Sequence, residues 1–530
     1  MTEAVATTTT EIEANARPER PTRAQTSAAD PRRSVWVTAN AGTGKTRVLT
    51  NRVLRLLLNG ADPESLLCIT FTRAAAAEMA ARVERQLAEW AVAPDASRLA
   101  ADVEQLTGEP PTAPVLDRAR RLFAQILDLP SGLGIMTIHS FCQSLLRRFP
   151  LEAGIAPHFE LIDDRTAREL QIEARQQVLA STNPELVAAI DALAVLLGDD
   201  SLTEAMAQLL GGRQHLAELA LSSGGIAGVI RAVHQLLEVD PTDTANDIIA
   251  RACQPQEVDS QNLVPAANAL MQGTATQAAN GLRILEWLNA AETDRVALFE
   301  TYRSTLLTQA GEPAKRLVPK ALDQAAANAL VREQARLVRV EDSLRALEIG
   351  RRTAVLLTVG YAIIDAYAET KRQAAALDFE DLITRTDRLL RDPERRDWVR
   401  FKLDARIDHL LVDEAQDTSP AQWSIIEHLV EEFHAGEGAD RGARTLFIVG
   451  DEKQSIYSFQ GADLASFAAV RERLMQRFAG AGRPIERVFL DLSFRSGPAI
   501  VEAVDAVLAN PAIANAIAGE DAEAIRHQTF

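Results

Sequence analysis

Residues 39–46 read ANAGTGKT, directly after the β-branched run SVWVT (34–38) and directly before TRVLTNRVLRLLL (46–58), which has apolar residues at helical spacing. Strand, glycine-bearing turn and helix N-terminus in succession converge backbone N–H donors on one point, and phosphate oxygens need such donors. Ala39, Asn40, Ala41, Gly42, Thr43 and Gly44 form the loop. Lys45 adds a point charge for β and γ phosphates, and Thr46 a hydroxyl for Mg²⁺. The pattern GxxxxGK[ST] has glycine first, where this chain has Ala39, a tolerable change if that position needs no positive φ.

Five more apolar runs, LLCITF (66–71), GIMTI (134–138), HLLVD (409–413), TLFIVGD (445–451) and RVFLDL (487–492), alternate with helical patterns. Near-continuous apolar strands of this kind predict an α/β fold whose parallel sheet is covered on both faces. Two of the runs end in chemistry. LLVDEAQD (410–417) places adjacent carboxylates at a strand end, Asp413 to hold Mg²⁺ and Glu414 to polarise a water attacking the γ phosphate. IVGDEKQSIYSFQGAD (448–463) places Gln454 to sense the γ phosphate, close to Tyr457, Phe459 and Gln460. The two aromatics read equally as base-stacking groups or as core.

With 530 residues, 47% of them hydrophobic and 25% charged, the chain has the composition of an ordinary globular protein of several domains. Its longest uncharged apolar stretch, 353–364, is short of the ~18 residues a membrane span needs, and the N-terminus lacks the form of a secretory signal. A cytoplasmic protein without a membrane partner is expected. Cys68, Cys142 and Cys253 neither pair nor cluster, which excludes a disulfide scaffold or a zinc site. The net charge of −18 leaves nucleic acid open, because a basic strip along one groove suffices to grip phosphates. Residues 1–20 read as a disordered tail. Residues 151–374 lose the strand texture and read as an all-helical accessory insert. In it Arg332, Arg336 and Arg339 suggest either a basic stripe for duplex DNA or a solvated face balanced by Glu333, Glu341, Asp342 and Glu348.

Taken with ITFTRAAAAEMAARV (69–83), TIHSFCQSLLRRFP (137–150), LDFEDLI (377–383) and LDLSFRS (490–496), these blocks closely resemble the UvrD/Rep/RecB branch of superfamily 1 DNA helicases. TIHSFC and the Ala/Arg-rich style look most like its AddA group of helicase-nuclease subunits. The resemblance implies a RecA-like ATP-binding motor domain over 21–150 and 375–482, interrupted by the insert, with a second RecA-like domain starting at 483. It implies ATP and Mg²⁺ as cofactors, Gln25 reading adenine, and Lys45, Thr46, Asp413, Glu414 and Gln454 as the hydrolytic set. Arg495 resembles the arginine lent to the γ phosphate, with Phe494 where many relatives have Tyr. Thr70, Phe71, Thr72, Arg73, Thr137, His139, Ser140, Phe141, Tyr457, Phe459 and Gln460 would line a single-strand track. His139 could equally be packed, and Thr137 and Ser140 could equally be helix caps.

The implied activity is ATP-driven 3′–5′ movement on single-stranded or duplex-end DNA in double-strand-break repair, with an AddB-like partner subunit. Family members continue for hundreds of residues beyond the arginine motif, so residues 483–530 read as a truncated second domain, and 1–530 alone are expected to hydrolyse ATP poorly and not to unwind processively. The alternatives are a stand-alone UvrD-type repair helicase and a non-motor nucleotide-binding scaffold subunit. The presence of all five residues of the hydrolytic set together with Arg495 speaks against a degraded scaffold. A clamp or transporter ATPase would need an LSGGQ-like signature, which is absent.

Overall fold

The computed structural model describes residues 22–130, 132–196, 199–315, 322–392, 398–399, 402, 407–435, 444–456, 462–510, 513 and 528–529. They form two compact units, one from 22–163 with 375–529 and one from 164–374. The expected tail and Tyr457, Phe459 and Gln460 lie outside the described residues.

The first unit is built on six parallel strands: β1 (Val35–Ala39), β2 (Leu66–Thr70), β3 (Gly134–Thr137), β4 (His409–Val412), β5 (Thr445–Gly450) and β6 (Glu486–Leu490), in the spatial order β3-β2-β4-β5-β1-β6. Side-chain alternation divides β1 between two cores. Val35 and Val37 enter one with Leu49, Val53, Met79 and Trp90. These come from α2 (Lys45–Leu58) and α3 (Arg73–Ala91), with α4 (Ala96–Thr107) and α5 (Ala113–Leu127) packed beside them. Trp36 enters the other, stacked on Trp423 at 6.1 Å between centroids and tilted against Phe467 at 5.2 Å. Helices therefore cover both faces, which is why the strands are apolar throughout.

One expected boundary is corrected. The strand at 486–490 does not open a second domain; it pairs along the whole of β1, from Val35 opposite Glu486 to Ala39 opposite Leu490, and completes the first sheet. An apolar run predicts a strand but not which sheet it joins. Beyond it, Leu492–Ser493 pairs with Gln528–Thr529.

Arg52, on the inward face of α2, is fully buried. Its guanidinium donates to the carbonyl oxygens of Ala28 (3.2 Å), Asp30 (2.6 Å) and Arg33 (2.5 Å) and to Thr445 Oγ1 (3.1 Å). It thus ties α1 (Arg23–Ala28) and the entry to β1 onto the start of β5. Burial pulls its pKa down to about 9, so it stays charged at neutral pH. Arg52→Met should strand these acceptors and cost about 3 kcal/mol or more, read as a lowered urea midpoint.

The second unit is helical, and its spine is a 50-residue helix, Gln324–Gln373, whose N-terminus is capped by Asp323. Trp287 stacks on Tyr302 at 3.8 Å inside its main core. The basic stripe is broken here. Arg336 is turned inward, donating to Glu333 Oε1 (2.6 Å) and to the Ala252 carbonyl (2.8 Å), while Arg332 pairs with Asp259. Glu333 is buried with Arg336, Glu341 is taken by Arg303 and Glu348 by Arg352, so Arg332, Arg336 and Arg339 form neither a continuous basic stripe nor a solvated face. Among the described residues no single helix is long and apolar enough to cross a membrane.

Candidate nucleotide site

Because β4, β5 and β1 are neighbours in the sheet, the turns leaving their carboxyl ends are neighbours too. Those turns begin at Asp413, Asp451 and Asn40. Open α/β sheets bind ligands at such a crevice, where strand order reverses.

The loop 40–44 is shaped by two glycines with φ of +75° (Gly42) and +84° (Gly44). A Cβ on Gly42 would lie 2.6 Å from Arg495 Cβ, so a larger residue is excluded by contact as well as by conformation. Ala39 ends β1 opposite Leu490 and is not among the residues with positive φ, which explains why alanine serves there. Gln25 is buried. Its amide nitrogen donates to the Thr43 carbonyl at 2.9 Å while its oxygen accepts from the Thr22 N–H at 3.1 Å, closing a capping box on α1. Thr43 Oγ1 donates back to the Asn40 carbonyl at 2.8 Å. Phe494 N–H donates to the Gly42 carbonyl at 2.9 Å, which lays the segment bearing the exposed Arg495 against the loop.

Lys45 Nζ lies 2.9 Å from Glu414 Oε2, across 369 positions of sequence. Glu414 adopts φ +48°, a left-handed conformation uncommon for a non-glycine residue and of the kind that gathers at functional sites. Its neighbour Asp413 is buried at the end of β4, and its Oδ1 accepts the Glu414 N–H at 3.0 Å. Burial first, and then the charge of Glu414, push the Asp413 carboxyl up to about 6, against the pull of Lys45. A cation beside it would reverse that shift. The Thr46 hydroxyl and the Asp413 carboxylate are hard oxygen donors of the type Mg²⁺ takes, with water and phosphate oxygens completing its shell. Among the described residues no cluster of three His, Cys, Asp or Glu side chains could hold a metal alone. The donor set therefore fits a metal that arrives with a phosphate ligand. Gln454 is not in direct contact with Lys45 or Glu414; its amide nitrogen donates to Asp451 Oδ2 at 2.6 Å.

Several expected DNA-facing side chains are otherwise engaged. Phe141 is 6% exposed and packed in the core, because its position on α6 (Ile138–Arg148) faces the sheet, so its place in the single-strand track is withdrawn. Thr70 is buried at the end of β2, its hydroxyl donating to the Thr72 carbonyl at 3.1 Å, and it presents no group to a strand. Thr137 caps α6 by accepting the Ser140 N–H at 3.2 Å, and its hydroxyl shares a hydrogen bond with Ser140 Oγ at 2.9 Å. His139 meets the edge of Phe379 at 5.6 Å; burial and the charge of Arg73 both lower its pKa, so it is packed and neutral. Thr72 and Arg73 are exposed at the N-terminus of α3, with Phe71 half-buried before them. If Arg73 grips one phosphate, Arg73→Ala should weaken single-strand binding uniformly over sequence and flatten the salt slope by about 0.7, measured by fluorescence anisotropy at several salt concentrations.

The sheet, its helical cover and the glycine loop define a RecA-like α/β helicase domain carrying a large helical insert. The UvrD/REP helicase N-terminal domain model matches residues 21–474, and the chain belongs to that family. It is 28% identical over 490 residues to the AddA subunit of the ATP-dependent helicase/nuclease of Enterococcus faecalis, covering 87% of this chain and 36% of that protein. The Latilactobacillus sakei protein of the same name is 28% identical over 506 residues, with 87% of this chain and 52% of the relative covered. That of Desulforudis audaxviator is 27% identical over 524 residues, with 90% and 38% covered. The chain thus spans about a third to a half of the length of these curated relatives.

Sequence reasoning missed Gln416 in the turn after β4, Gly450 at the end of β5 and Lys453 in the turn after it. A signal was available for Gly450, a glycine ending an apolar strand, which marks a close approach of another group.

Proposed function

We propose that this chain is the ATP-hydrolysing motor portion of a DNA helicase similar to AddA, acting in double-strand-break repair beside an AddB-like partner subunit. The observation that carries it is the 2.9 Å pair between Lys45 of the glycine loop and Glu414 of the acidic strand end. The loop N–H groups would donate to the β and γ phosphates of bound ATP, which would take the place of Glu414 on Lys45. Mg²⁺, held by Thr46 and Asp413, would neutralise phosphate charge. Glu414, released, would orient and accept a proton from the attacking water. Gln25 would use its remaining amide hydrogen for adenine, and Arg495, beside Gly42, would reach toward the γ phosphate. Thr72 and Arg73 are the exposed part of the single-strand track, with Phe71 beside them. The stand-alone UvrD-type helicase is the alternative within the same mechanism.

The direct test is unwinding by the full-length protein on duplexes with one single-stranded tail. Opening of 3′-tailed duplexes with ATP and Mg²⁺ is expected. Opening of 5′-tailed duplexes alone would reverse the polarity, and ATP turnover that DNA does not stimulate would remove the motor reading.

A further inference from the structure

Gln416 is 1% exposed, two residues beyond the carboxylate that would polarise water, and its amide is held on every side. The Asp451 N–H lies 2.9 Å from Oε1; since a backbone N–H can only donate, this atom is the oxygen. Nε2 then donates to Glu414 Oε2 at 2.8 Å and to Asp417 Oδ2 at 3.1 Å. Space for this amide is reserved by Gly450, where a Cβ would come within 2.8 Å of Oε1. From Asp451 the chain of contacts continues. Its Oδ1 accepts the Lys453 N–H at 3.2 Å, and Lys453 Nζ donates to Asn40 Oδ1 at 2.6 Å. Asn40 opens the glycine loop and Lys45 follows it directly at the start of α2. The contacts therefore close into a circuit that leaves the glycine loop at Lys45, passes Glu414, Gln416, Asp451 and Lys453, and returns to the loop at Asn40.

We propose that Gln416 is a positioning residue for the hydrolytic carboxylate, and that Lys453 completes the same device by tying the turn after β5 to the glycine loop. The proposal rests on the reading of this site as an ATPase. Its physical content is an asymmetry on Glu414. Lys45 and Gln416 both donate to Oε2, whereas Oε1 receives no hydrogen bond among the described residues. When phosphates draw Lys45 away, the Gln416 amide still holds Oε2 and so fixes the rotation that presents Oε1 to water. A carboxylate that swings freely loses the in-line geometry, and misplacement by about 1 Å can cost about a hundredfold in rate. The amide oxygen, bound to the first residue of the turn that carries Gln454, joins this orientation to the conformation of that turn.

The test is steady-state ATP turnover with saturating single-stranded DNA, on the full-length protein, for Gln416→Met, Lys453→Met, the double variant and Lys45→Ala, each checked by melting temperature. Gln416→Met keeps the volume and removes the amide. It should lower kcat by about tenfold to a hundredfold with KM for ATP within about threefold, since only a transition-state interaction is lost. Because both residues serve one circuit, the double variant should be no slower than the slower single variant. If Gln416→Met does not fold, Lys453→Met carries the test with the same kcat-against-KM split. A kcat within twofold of wild type, a loss confined to KM, or effects that multiply in the double variant would each overturn the proposal. Should Lys45→Ala abolish turnover while Gln416→Met does not, only the positioning role fails. Unchanged turnover in Lys45→Ala would instead remove the reading of the site itself.

Discussion

Replacing Lys45 by alanine is expected to reduce DNA-stimulated phosphate release by the full-length protein about a hundredfold to a thousandfold, while leaving single-strand affinity without nucleotide unchanged. The magnitude is that of losing one preorganised charge aimed at the transferring phosphoryl group. Lys45 starts α2 directly after a left-handed glycine, and its ammonium is already held over the acidic turn by Glu414, so little reorganisation is needed when phosphate takes that partner's place. The exposed Thr72 and Arg73 belong to the start of α3 and need no contribution from this lysine. Loss of DNA binding together with turnover would show that Lys45→Ala damages the fold. Retained turnover would take the lysine out of the chemistry.

Asp413→Asn should produce two opposite effects: abolished turnover and a more stable protein in the absence of metal and nucleotide. Asp413 is ionised at neutral pH although its burial and Glu414 raise its pKa from 3.8 to about 6. At about 1.4 kcal/mol per factor of ten in proton affinity, that rise costs about 3 kcal/mol of folding stability above pH 6. Asparagine keeps an oxygen for the Glu414 N–H and removes the charge, so the melting temperature should rise. Adding Mg²⁺ and nucleotide should stabilise the wild type by mass action and the variant far less.

The pH dependence separates this effect from its neighbour. Between pH 4 and 6 the folded protein holds the Asp413 proton that the unfolded chain has lost, so this group makes stability fall as pH rises. His409, buried against Thr445 Oγ1 and lowered from 6.5 to about 4 by burial and the charge of Arg52, does the reverse. It is neutral when folded and protonated when unfolded between pH 4 and 6.5, so its contribution is lost as pH falls through that window. The two oppose each other in the wild type. Asp413→Asn leaves the histidine uncompensated, and its stability should drop from pH 6 to pH 4 by about 2 kcal/mol more than that of the wild type. Parallel curves would contradict the assignment of the raised carboxyl to Asp413.

How far the sequence could be read follows from what each feature depends on. The six strands were legible because burial on both faces leaves an unbroken apolar run, and the phosphate loop because Gly42 and Gly44 sit at left-handed positions that other residues rarely adopt. The meeting of Lys45 with Glu414 was legible only as a pairing of two patterns. The left-handed turn at Glu414 that completes it has no residue signature. Gln416 was hidden between two acids, where an amide reads as a solvated side chain, although it is buried and shared by three partners. Arg52 and Arg336 were hidden for the converse reason: arginine reads as surface, and only tertiary structure supplies the carbonyls and the carboxylate that let it go inside. Phe141 was assigned outward from its motif, when its place on α6 puts it against the sheet.

Equilibrium binding of a fluorescent ATP analogue to wild type, Lys45→Ala and Asp413→Asn, each with Mg²⁺ and with EDTA, bears on the central claim most directly. If the glycine loop and the acidic strand end share one metal-bound triphosphate, Mg²⁺ should tighten binding to the wild type, have little effect on Asp413→Asn, and leave Lys45→Ala weak in both conditions. Equal tightening of all three proteins by Mg²⁺ would contradict it.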